Sequence, residues 1–168
     1  MKNKLFLIVL AMLVAFSAFA EDIEIDKSTG LKDSDVKSFI KNYKKMQSDL
    51  SSYSELFNTE ASAMAKMSAV MKGMDAVDVV TDIMNKNGIS GKNAVEKFTR
   101  ICYYTTVLAA GRALEQAVAE NPALAAYIAA ADPYAEIRKK MDPTDTAVLK
   151  ANIDALMKAL ELNAKSGN

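Results

Sequence analysis

From Val36 onward, apolar side chains recur in alternating steps of three and four: Val36, Phe39, Tyr43, Met46, Leu50, Tyr53, Phe57, Glu60, Met64, Met67, Met71 and Met74. Glu60 is the one charged member. A mean period of 3.5 keeps one stripe turned toward one partner, so the pattern predicts a long bundle or coiled-coil helix over about residues 34–74. Unbroken, such a helix would be about 60 Å long. A break would fall at Ser51-Ser52-Tyr53-Ser54, because Ser competes for backbone hydrogen bonds. Lys37, Lys41, Lys44 and Lys45 lie off the stripe, as a solvated face requires. Asp33 or Ser34 is the expected N-cap.

The remaining pattern is also helical. Asp75 precedes a short segment, Ala76–Lys86, with Val79, Val80 and Ile83 inward and Asn87-Gly88 as its C-terminal stop. Ser90 opens a longer segment, about Gly91–Glu120, which has no charge between Ile101 and Gly111. All three prolines sit behind Asn or Asp, at Asn121-Pro122, Asp132-Pro133 and Asp142-Pro143, the cap-plus-proline device of a helix start. They predict helices at Ala123–Ala131, at Tyr134–Met141 and from Asp142-Pro143 to about Leu162. The last carries a second stripe, Leu149, Ile153, Leu156 and Leu160. No alternating strand pattern or hairpin dipeptide interrupts this series. The expected fold is all-α: a helical bundle of about five helices with one long member, a single domain over 34–163, and a frayed tail at 164–168.

The first twenty residues have a different character. Lys2 and Lys4 precede the uncharged apolar run Leu5–Phe16, and Ser17-Ala18-Phe19-Ala20 supplies small residues at the −3 and −1 positions of a cut between Ala20 and Glu21. That order is the order of a cleavable signal peptide, which places the mature chain in the bacterial periplasm or outside the cell. The apolar run is too short for a stable membrane span, and none is expected after cleavage. Glu21–Asp33, rich in acids at its start, is expected to be a flexible leader.

Composition narrows the chemistry. The chain has 21 basic and 21 acidic residues, no His and one Cys. Triads that depend on His, imidazole metal ligands, thiolate zinc cages and intramolecular disulfides are therefore excluded. Balanced charge argues against a nucleic-acid partner. There is no phosphate-binding glycine loop, nucleophile elbow or dinucleotide fingerprint, so no cofactor and no enzymatic activity are expected. Cys102 lies in the uncharged stretch and is expected to be buried and inert.

Four groups of residues remain as candidates. Met64, Met67, Met71 and Met74 put thioethers along one helical face. They are core if they continue the stripe, an adaptable binding surface if exposed, and a soft-metal site of the Cu(I) type if they converge. Asp75, Asp78 and Asp82 share a face, which the helix dipole explains without a cation. Tyr103, Tyr104, Arg112 and Tyr127 bring polar handles into the apolar zone 101–131, either a close-packed core or the wall of a cavity for an apolar small molecule or lipid. Arg138-Lys139-Lys140 falls at a helix end, where cations are favourable. The leading functional expectation is a non-enzymatic, chaperone-like or structural module that pairs its Met-rich helix with a protein partner or a second copy. The alternatives are an apolar-ligand carrier and a Cu(I)-type binder.

Overall fold

The computed structural model describes residues 26–51, 74–91 and 93–162. Within them the chain is all-α, with seven helices: α1 Asp33–Ser51, α2 Met74–Lys86, α3 Ala94–Glu120, α4 Ala125–Ala131, α5 Ala135–Lys140, α6 Pro143–Ala151 and α7 Ile153–Ala159. A 3-10 turn, Pro122–Leu124, leads into α4. None of these helices is long and apolar enough to cross a membrane. The expected signal segment 1–20, its cleavage point at Ala20 and Glu21, and the tail 164–168 lie outside the described residues.

The first half of the stripe is core. Val36, Phe39, Tyr43, Met46 and Leu50 are all buried, while Lys37, Lys41, Lys44 and Lys45 are exposed. Phe39 anchors this face, with its ring 4.9 Å from Tyr43 and 5.6 Å from Phe98 on α3. The rest of the expected long helix, 52–73, lies outside the described residues. Met74 opens α2, two residues before the expected start at Ala76. Asp75 is therefore inside the helix rather than its cap.

α3 is the axis of the bundle, and each of the other six helices packs against it. Its 27 residues span about 40 Å. Burial along it is confined to Ala94–Gly111, and the final nine residues leave the core. Gly111 lets the Arg138 side chain of α5 lie against the axis, since a Cβ there would come within 3.2 Å of Arg138 Cδ.

The proline-marked starts form as their chemistry requires. Asn121 accepts a hydrogen bond from Ala123 N at 3.2 Å, Asp132 from Tyr134 N at 2.9 Å, and Asp142 from Asp145 N at 2.8 Å. The expected single last helix is divided into α6 and α7 at Asn152, whose φ of −118° and ψ of 12° leave the helical region. The Asn152 amide donates to Val148 O and to Asp33 Oδ1, so its side chain competes with the helix and ties the break to α1. At the start of α1, neither Asp33 nor Ser34 caps. Asp33 pairs with Lys37, and Asp35 accepts from Lys32 N at 3.0 Å in place of a cap.

Candidate functional site

The expected site residues are dispersed. Met64, Met67 and Met71 lie outside the described residues, and Met74 is the first residue of α2. Tyr103, Tyr104, Arg112 and Tyr127 do not gather around one space. Tyr104 is fully buried, Tyr103 is half-buried with its ring 6.4 Å away, Arg112 is exposed, and Tyr127 is 73% exposed. The zone 101–131 is therefore not uniformly interior. Its first part is core, and Asn121–Tyr127 is surface. Arg112 does not require a buried counter-ion, since it pairs at the surface with Asp154 on α7. The physical reason is that α3 is buried only as far as Gly111, and the 3-10 turn and α4 pack against α3 with Asn121–Tyr127 facing solvent, an exposed corner termed the spur below.

Asp78 and Asp82 are exposed on α2, and no group of three metal-binding side chains converges among the described residues. Arg138 pairs with Asp132, and this bond holds the Asp132 carboxyl below its ordinary range. Lys139 pairs with Glu136. Cys102 is buried, and burial pushes its thiol up, away from the reactive thiolate.

A polar cluster that local sequence patterns did not mark lies at the start of α6. Asp145 is fully buried. Its Oδ2 accepts from Thr29 N and Thr29 Oγ1, both at 2.9 Å. Its Oδ1 accepts from Ser28 Oγ at 2.9 Å and Leu31 N at 3.3 Å. Four donors fill the acceptor capacity of a carboxylate. Arg100 of α3 adds its positive charge, with Nε 4.0 Å from Asp145 Oδ2. The same guanidinium donates to Tyr104 Oη and lies 4.8 Å from the centre of that ring. Burial raises the Tyr104 phenol even though Arg100 acts to lower it. Asn93, just before α3, donates to Thr29 O at 2.6 Å. Ser28–Leu31, inside the stretch read as a flexible leader, is thus held as a strap, with Thr29 and Leu31 buried.

A second buried ion pair lies alongside. Lys97 Nζ is 2.9 Å from Asp35 Oδ2, with both side chains almost wholly enclosed, and Lys97 also donates to Ser90 O at 3.0 Å. The missed signal was partly visible. Lys97 shares a helical face with Ala94 and Ile101, so a cation on an apolar face demanded an acid. The chain supplies that acid 62 residues away, a distance that local periodicity does not reach.

The cluster is a closed set of donors and acceptors, each turned toward another part of the same chain. Its chemistry is attachment. The exposed feature is the spur: Asn121–Tyr127 carries no charge, and Leu124 and Tyr127 are the only large apolar side chains left exposed among the described residues. No family model, curated protein or solved structure matches the chain.

Proposed function

We propose that this chain is an exported, non-enzymatic interaction module, and that the spur formed by the 3-10 turn and α4 is one of its contact surfaces. The observation that carries the reading is the placement of Leu124 and Tyr127. They are three residues apart on an uncharged segment, at the end of a molecule whose other large apolar side chains are turned inward where described. Aromatic and aliphatic anchors on a segment that stands clear of the core suit docking into another protein or a second copy. The Met64–Met74 face belongs to the same reading as a second, deformable contact region. The distribution of carboxylates also supports it. Asp35, Asp142 and Asp145 are spent on internal hydrogen bonds, which leaves none of these three buried acids for general acid or base work.

A photo-reactive amino acid at position 127 of the full-length chain, in the cell that produces it, tests the proposal. The expected result is a discrete protein adduct that Leu124→Asp abolishes. A folded chain that yields no adduct, or one indifferent to Leu124→Asp, would contradict it.

A further inference from the structure

We propose that Ser28–Leu31 is an exchangeable strap, and that the clamp formed by Asp145 and Asn93 also accepts the same segment from a second copy of the chain. The clamp is built entirely from side chains that follow the strap in sequence, at separations of 64 to 117 residues. It recognises a segment that turns at Gly30 (φ +66°) by two main-chain N–H groups, one main-chain carbonyl and two hydroxyls, while Leu31 beside it enters the hydrophobic core. Another copy carries an identical segment, so the contacts made in exchange are those already present within one chain.

Two features favour exchange. First, the strap is short and joined to α1 through a single exposed residue, Lys32; Asp26 and Lys27 on its other side are also exposed. Brief connections of this kind are the usual hinges of swapped elements. Lys32 N donates to Asp35 Oδ2 at 3.0 Å, and Lys32 O accepts from Asp35 N at 2.9 Å and Val36 N at 3.2 Å, so a hinge here turns about the bonds on the N-terminal side of that carbonyl. Second, the groups beneath the strap are charged. Release brings water to Asp145 and, next to it, Arg100, and their hydration offsets part of the cost of opening. An apolar floor would offer no such return. Within one molecule the tether keeps the local concentration of the strap high, so exchange needs concentrated protein and transient opening.

The test uses two variants of the mature full chain with complementary defects. Ser28→Ala/Thr29→Val spoils the strap and keeps the clamp; Asp145→Asn spoils the clamp and keeps the strap. One variant is labelled with ¹⁵N, and each is concentrated, warmed to just below its unfolding transition and cooled, alone and mixed. Native mass spectrometry then reads the dimers. The expected result is a mixed dimer held at least about tenfold more tightly than either variant's own dimer. Absence of a mixed dimer, or equal dimerisation of each variant alone, would overturn the proposal. If Asp145→Asn loses its helical signal, Asn93→Ala replaces it, since it removes only the bond to Thr29 O. Adding Leu124→Asp and Tyr127→Asp to both chains separates this result from the spur: strap exchange survives that change, and contact through the spur does not.

Discussion

Asp145 accepts four hydrogen bonds from a segment more than a hundred residues away in the chain. A buried carboxylate is tolerated only when its lone pairs and its charge are met, and here four donors and the Arg100 guanidinium meet them. Removing the acceptor leaves the Thr29 and Leu31 N–H groups and Arg100 without that partner. Asp145→Ala is expected to cost about 3–5 kcal/mol, the range for breaking a buried pair from one side. Urea denaturation of the chain measures this, and a loss below about 1 kcal/mol would show that the strap contributes little. The sequence shows half of this role. Asp142-Pro143-Thr144-Asp145 reads as a helix start, and the backbone bond from Asp145 N to Asp142 Oδ1 forms accordingly. The other half depends on Ser28 and Thr29, more than a hundred residues away, and residue types at that separation carry no periodicity to read.

At the scale of elements, local chemistry decided most outcomes. Asn121-Pro122 and Asp142-Pro143 begin a 3-10 turn and a helix, because side-chain oxygen and proline's fixed φ act on the same few residues, whereas Asp132-Pro133 forms a turn that leads into α5 at Ala135. The α1 stripe is buried over its described length because its period matches a helix pressed against one core. Two elements departed from expectation for identifiable reasons. Asn152 splits the last helix by bonding to α1, and the spur faces solvent because burial along α3 ends at Gly111; neither depends on the residues nearby alone. The stop after α2 is set by Gly88, at φ +88°, where an added Cβ would lie 2.7 Å from Ser38 Oγ and 2.9 Å from Ser38 Cβ on α1. Gly88→Ala is therefore expected to destabilise the bundle by about 1–3 kcal/mol through strain and displacement of α1. Gly30→Ala, also at positive φ but with open space around it, is the control for strain alone. Equal losses at both sites in thermal denaturation would remove the role assigned to the Ser38 contact.

Among the described residues α3 gathers six helices around one axis, and the core about it encloses protons as well as apolar surface. Burial raises Cys102 above its ordinary 9.0, and raises Tyr43, Tyr103 and Tyr104 above 10.0. Once unfolded, these groups lose their protons at the ordinary values, while the bundle retains them. Above about pH 9 the unfolded chain therefore binds fewer protons than the folded one, and stability falls as pH rises. The urea midpoint is expected to be level between about pH 6 and pH 9 and to drop steadily by about pH 11. A midpoint unchanged across that interval would mean that these side chains are open to water.

The strap that precedes α1 is fastened to the bundle from within, at Asp145. Amide hydrogen exchange on the chain, read residue by residue, tests this most directly. The Thr29 and Leu31 amides, both bonded to the Asp145 carboxylate, are expected to exchange as slowly as amides within the helices. Thr29 and Leu31 amides exchanging at the rate of an unstructured peptide, over a bundle that is otherwise protected, would contradict it.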